Sequence, residues 1–115
     1  MNNISAKEAS QRIDNDDFVV LDVREQFEID AASVKDFIHI PMQQVPKSMD
    51  KLPKDKTIGV LCHTGGRSSR VTMYLNQQGF DNVVNISGGI EAWARLTDSD
   101  VPRYRKSFGQ AQVIS

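Results

Sequence analysis

The chain contains one cysteine, Cys62, in 115 residues. An internal disulfide is therefore excluded, and a lone thiol fits a reducing, cytoplasmic setting. Long apolar runs are missing, and no stretch approaches the length of a membrane span. The first ten residues, MNNISAKEAS, lack a basic region followed by an apolar one, so no secretory signal is expected. Charge of one sign is not in excess: the net charge is −1, which favours neither nucleic acid nor a membrane surface as partner. The two histidines, His39 and His63, have no partner ligands at useful spacing, so no metal site is expected. No phosphate-binding G-x-x-x-x-G-K-[ST] or dinucleotide G-x-G-x-x-G occurs, and no cofactor is expected. Repeats, low-complexity segments and linkers are also absent. A single domain over 1–115 is the expectation, with a core over about 4–104 and a tail over 105–115. The segment PRYRKSFGQAQVIS, basic and then polar, either frays or packs across the domain edge.

Hydrophobic residues make up 39% of the chain and charged residues 25%, a balance that fits a globular domain able to bury a core unaided. The charge is uneven. Residues 1–61 carry 8 basic and 11 acidic side chains, whereas residues 62–115 carry 6 basic and 4 acidic ones. The half that begins at the cysteine is the cationic half, a mild pointer to an anionic ligand.

Hydrophobic patterning alternates strands with helices. ISAKEASQRIDN reads as a first helix, with Ser5 and Glu8 as a capping box and Ile4 stapled onto Ala9. FVVLDV, KTIGVLC and DNVVNI are apolar, β-branched runs that read as buried strands. REQFEID reads as a short helical turn, FIHIP as a short strand stopped by Pro41, and MQQVPKSMDKL as a short helix with Pro46 near one end. SSRVTMYLNQQ places Val71, Tyr74 and Leu75 on one helical face before Gly79 closes it. GGIEAWARL is a turn and a helix, with Ile90 and Trp93 as core residues. The order implies an α/β fold with a mostly parallel sheet covered on both faces. Ligands of such sheets sit beyond the carboxyl ends of strands, which is where Cys62 falls.

A free cysteine at a strand end is most often a small buried hydrophobe. The residues after this one shift that reading. LCHTGGRSSR supplies two glycines for close approach of backbone amides, an arginine, and the start of a helix with its unpaired N–H groups. Such a loop forms an anion nest that stabilises a thiolate, the nucleophilic form of cysteine. Cys62 is thus the candidate nucleophile, and His63, Thr64, Gly65, Gly66, Arg67 and Ser68 are the candidate substrate-binding residues. His63 either acts as a base or faces solvent. Arg67 either orients an anion or packs on a carboxylate, with the ligand role favoured. Ser68 either donates to an anion or caps the helix. Arg70, one turn on, reads as a solvated rim charge.

The segment LCHTGGRSSRVTMYLNQQGFDNVVNISGGIEAW resembles the active-site half of rhodanese-like domains, the sulfurtransferases, and LDVREQFE resembles their N-terminal D-V-R-E segment. The resemblance spans roughly Ile4 to Tyr104. It departs from the family where Ala32-Ser33 stand in place of Gly-His and Asp36-Phe37 in place of Gly-Ala, a change bearing on local loop conformation rather than on Cys62. The resemblance implies that Asp22 and Arg24 belong to a buried structural network, and that Gly88-Gly89 form a tight turn near the active loop. It also implies a mechanism. The Cys62 thiolate takes the outer sulfur of a small donor such as thiosulfate, becomes a persulfide, and passes that sulfur to cyanide, a thiol or a protein acceptor. Lacking a second cysteine, the chain cannot resolve its own persulfide as a disulfide, so the sulfur leaves to an outside acceptor.

Two other readings compete. Cysteine phosphatases and arsenate reductases also cradle an oxyanion between a thiolate, loop amides and an arginine, but their spacing is C-x5-R. Cys62 to Arg67 is C-x4-R, a smaller cradle suited to one sulfur. A persulfide carrier or regulatory binding module is the second alternative; catalytically dead modules usually lack the cysteine. In the family, positive side chains just after the cysteine favour thiosulfate. Here His63 and Thr64 occupy those positions, so modest thiosulfate activity with a high KM is expected, with persulfides the better donors.

Overall fold

The computed structural model describes residues 2–97 and 100–114. Five parallel strands form the central sheet: β1 (Asn3–Ser5), β2 (Phe18–Asp22), β3 (Ile38–His39), β4 (Thr57–Leu61) and β5 (Val83–Ser87), in the spatial order β1-β5-β4-β2-β3. The helices are α1 (Ala6–Arg12), α2 (Gln26–Ala31), α3 (Gly66–Gln77) and α4 (Gly89–Leu96), with 3-10 helices at Met42–Lys47 and Met49–Lys51. The α/β fold expected from the strand–helix alternation is the one found.

Strand alternation divides the core. Phe18 and Val20 point to one face, where they meet Ala6, Ala9, Ile86, Ile90 and Trp93 from α1, β5 and α4. Leu21 and Val23 point to the other, onto Val71 and Leu75 of α3 and Val45 of the first 3-10 helix. In α3 the buried residues Ser68, Val71, Thr72 and Leu75 follow the i, i+3, i+4, i+7 spacing of one helical face. In β4, Ile58 and Val60 face α3, and Cys62 just past the strand joins that side. The nucleophile candidate is thus delivered to the carboxyl edge of a central strand, on the α3 face.

Three expectations need correction, and one left open is resolved. Ser5 caps α1 as expected, its hydroxyl accepting from the Glu8 amide at 3.0 Å, but Ile4, expected as a staple at the helix start, lies in β1, where Asn3–Ser5 pair with Asn85–Ser87 of β5. MQQVPKSMDKL forms two 3-10 turns rather than one helix, with Pro46 inside the first. α3 starts at Gly66 behind Gly65, whose φ is +114°, so Ser68 lies in the first turn and is not the cap. The tail beyond 104 is ordered as an antiparallel hairpin of β6 (Tyr104–Ser107) and β7 (Gln110–Val113).

The segment that departs from the family pattern has its own packing. Phe37 meets Trp93 edge to face, with centroids 5.4 Å apart, filling space that an alanine would leave. Asp36 stands at φ +71°, in the left-handed region that glycine adopts most readily. Aspartate tolerates that region better than most residues, yet the left-handed conformation still costs it energy. Asp36→Gly is expected to stabilise the fold by roughly 1 kcal/mol, read as a higher midpoint in thermal or urea unfolding. A lower midpoint would show that the aspartate side chain contributes more than its backbone strain costs.

Candidate active site

The loop that follows β4 is held from two sides. On one side, the N–H groups of Ile90 and Glu91 donate to the carbonyls of Cys62 and His63 at 2.8 and 3.0 Å, docking the first turn of α4 onto the loop. The tight turn expected at Gly88-Gly89 does approach the loop. A Cβ placed on Gly89 would lie 2.5 Å from both the Cys62 and the His63 carbonyl oxygens, so only glycine fits there. On the other side, Ser69 N–H reaches the Gly65 carbonyl at 3.1 Å, the first bond of α3. The amides of Gly66, Arg67 and Ser68 precede that bond and carry the positive end of the helix.

Cys62 is 1% exposed. Its sulfur accepts the Gly65 amide at 3.0 Å, and its S–H donates to the Ser68 hydroxyl at 3.3 Å. Ser68 in turn donates to Asn85 Oδ1, whose Nδ2 donates to Asn3 Oδ1 at 3.0 Å. A polar chain therefore runs from the thiol across β5, buried through Ser68 and Asn85 and surfacing at Asn3 of β1. Asn85 was not singled out from sequence, because its place beside the loop depends on the β4–β5 register of Val60 against Asn85.

Arg67 takes the second of its two expected roles. Its guanidinium forks onto Glu28, Nη1 to Oε2 at 2.7 Å and Nη2 to Oε1 at 2.8 Å. Its charge is thereby matched by a carboxylate instead of standing over the loop, and the Glu28 bonds push its proton affinity higher still. Glu28 is fully buried. Burial alone pushes its carboxyl up, but the bonds from Arg67 and the Glu25 amide, with that of Tyr104, outweigh burial and hold it at about 2. The Tyr104 hydroxyl donates to Glu28 Oε1 at 2.9 Å and accepts from Arg24 Nη1 at 3.1 Å. Burial pushes this phenol up, so it keeps its proton. Arg24 forks onto Asp22 at 2.7 to 3.1 Å. Burial works against the Arg24 charge, and the Asp22 bonds overcome it. The Asp22–Arg24 pair is buried and structural, and it continues through Tyr104 and Glu28 to Arg67.

His63 is half-buried and turned onto Tyr104 rather than the thiol. Its ring stacks on Tyr104 at a centroid distance of 4.1 Å and an interplanar angle of 12°. Its Nε2–H donates to the Tyr104 carbonyl at 3.1 Å. Burial pushes the imidazole below its ordinary range, so it is neutral at pH 7. Thr64 lies in the wall of a cavity of about 420 Å³ that runs along α4 past Gly88, Ala92 and Arg95. The roles of Glu28 and Tyr104 at this site were not read from sequence; they lie 39 residues from Arg67 and 76 from Glu28, respectively. Among the described residues no three His, Cys, Asp or Glu side chains cluster as a metal site requires, and no helix is long and apolar enough to cross a membrane.

Comparison with known proteins identifies the family. The family model described as "Rhodanese-like domain" matches residues 5–96. A protein named "Sulfurtransferase" from Allochromatium vinosum is 38% identical over 96 residues, covering 83% of this chain and 90% of that one. "Thiosulfate sulfurtransferase GlpE" from Coxiella burnetii is 32% identical, covering 78% of this chain and 84% of its own. The crystal structure of a rhodanese-related protein from Thermoplasma volcanium superposes with a TM-score of 0.76 at 34% identity, covering 83% of this chain and 92% of that one. This chain belongs to the rhodanese-like family, in which relatives such as those from Allochromatium vinosum and Coxiella burnetii are named sulfurtransferases.

Proposed function

We propose that the protein is a sulfurtransferase that carries sulfane sulfur on Cys62. The observation that carries this reading is the sulfur of Cys62 resting on the Gly65 amide at 3.0 Å, at the end of β4 and beside the α3 N-terminus. Backbone donors at the sulfur suit a group that bears negative charge on sulfur during transfer. His63, turned away onto Tyr104, is not a base for the thiol.

The reaction has two covalent steps. The Cys62 thiolate attacks the outer sulfur of thiosulfate; the new S–S bond forms as the old one breaks, and sulfite leaves with the bonding electrons. The enzyme-bound persulfide is anionic, and its terminal sulfur falls to the loop amides between His63 and Ser68. A nucleophilic acceptor, cyanide or a thiolate, attacks that sulfur and returns the Cys62 thiolate. The names of the relatives support sulfur transfer in general. A persulfide donor fits this loop better than thiosulfate, because Arg67 is engaged by Glu28 and the nearer positions are His63 and Thr64. The same engagement weighs against phosphate-ester chemistry, which needs an arginine turned to the oxyanion. The setting is proposed as cytoplasmic, with a thiol or a protein as acceptor.

Initial rates of thiocyanate formation, with thiosulfate and cyanide both varied, test this reading. Parallel double-reciprocal lines and complete loss in Cys62→Ser are expected. Phosphate-ester turnover that vanishes in Cys62→Ser, without thiocyanate formation, would replace it.

A further inference from the structure

We propose that Tyr104 is a positioning residue of the sulfur-transfer site: it clamps the Cys62 loop shut from a hairpin that lies outside the family-matched span. The proposal rests on the Cys62 reading above and adds a device to it. The family model ends at residue 96, whereas the hairpin begins at Tyr104.

Three contacts tie the root of this hairpin to the site. The Tyr104 ring and carbonyl hold His63, the residue next to the nucleophile, by stacking and by a hydrogen bond. The Tyr104 hydroxyl bridges Arg24 and Glu28, and Glu28 is the carboxylate that pairs with Arg67, five residues past Cys62. Arg103, one residue before, pairs with Glu91 of α4 at 2.7 Å, and Glu91 N–H is bonded to the His63 carbonyl. The loop is thus held at two points beyond its sulfur, at His63 by the tyrosine itself and at Arg67 through Glu28. Tyr104 is itself buried, 3% exposed, although the rest of β6 is exposed. A hairpin serving only to cover an edge would not need to place a phenol on two charged groups of the site.

The consequence concerns access. Cys62 is 1% exposed, so a sulfur donor or any other reagent reaches it only when the loop opens. A rigid stack and two hydroxyl bonds set against that opening slow it in proportion to the population they remove. Small donors need a small opening; larger ones need release of the hairpin root.

Alkylation of Cys62 by iodoacetamide, followed by intact mass, reads this opening in wild type, Tyr104→Phe and Tyr104→Ala. Tyr104→Phe keeps the stack and loses the hydroxyl bonds; about threefold faster alkylation is expected. Tyr104→Ala loses both, and about tenfold or more is expected. A core-weakening control, Val83→Ala at the start of β5, separates loop opening from global weakening and is expected to alkylate at the wild-type rate. His63 proton NMR titration gives a second reading: its groups in play are Glu28, Glu91, Lys106 and the Tyr104 carbonyl. Its midpoint should rise towards the ordinary imidazole value in Tyr104→Ala and stay low in Tyr104→Phe. Alkylation rates within twofold of wild type in the folded Tyr104 variants would overturn the clamp, as would equal acceleration in Val83→Ala. If Tyr104→Ala does not fold, Tyr104→Phe against Val83→Ala decides alone. Alkylation reports thiol access whether or not sulfur is moved, so failure of the clamp and failure of sulfur transfer are read separately.

Discussion

Gly89→Ala is expected to cost roughly 3–5 kcal/mol of stability, combining the left-handed backbone penalty with overpacking against fixed atoms. Gly89 has φ +60°, and an added methyl would lie 2.5 Å from the carbonyl oxygens of Cys62 and His63 and 2.6 Å from the His63 carbonyl carbon. All three are backbone atoms, so no side chain can rotate aside. Those same carbonyls accept the Ile90 and Glu91 amides, so relief of the clash must pull α4 off the loop. The loop would shift with it. A displacement of about 1 Å at a reacting group lowers rates by about a hundredfold, and a loss of that size in sulfur transfer is expected from whatever fraction remains folded. Urea unfolding gives the first quantity, and single-turnover transfer the second. An alanine variant with wild-type stability would mean that the turn before α4 does not set the loop.

Glu28→Gln is the second large effect. The substitution keeps shape but leaves the Arg67 and Tyr104 bonds without their charged acceptor in a fully buried place. Removing one partner of a buried ion pair costs about 3–5 kcal/mol. The pH dependence follows from the same group. In the folded chain Glu28 titrates at about 2, below its ordinary 4.5. The unfolded chain therefore binds the proton first as pH falls. Stability from this carboxylate is fully present above about 4.5 and is lost as pH drops from there towards about 2, by roughly 3 kcal/mol in all. The gap between wild type and Glu28→Gln should accordingly be wide at pH 7 and narrow steadily below pH 4.5. A gap that stays constant down to pH 3 would show that Glu28 does not carry this charge-dependent stability.

Local signals were legible in the sequence where the physics is local. β2, β4 and β5 are β-branched apolar runs, and their alternation between two core faces follows from the period of a strand. The Cys62 loop was legible because strand end, glycines and helix start adjoin one another in the chain. β1 was not: NIS has one apolar residue, and it becomes a strand only by pairing with β5. The hairpin was missed for a similar reason. Its turn places Phe108 at φ +49° before Gly109, and only Ala111 and Val113 hint at a period of two in its second strand. The fate of Arg67 was unreadable because Glu28, its partner, reaches it only through the pairing of β2 and β4. Long-range charge pairing is a property of the folded chain, and the sequence alone favoured the ligand role for that arginine.

The most direct test is intact mass spectrometry of the protein after incubation with thiosulfate or a low-molecular-weight persulfide, beside Cys62→Ser, with cyanide added afterwards. One added sulfur on the wild type alone, removed by cyanide as thiocyanate, is the predicted result. No sulfur on the wild type from either donor, or sulfur that persists in Cys62→Ser, would contradict it.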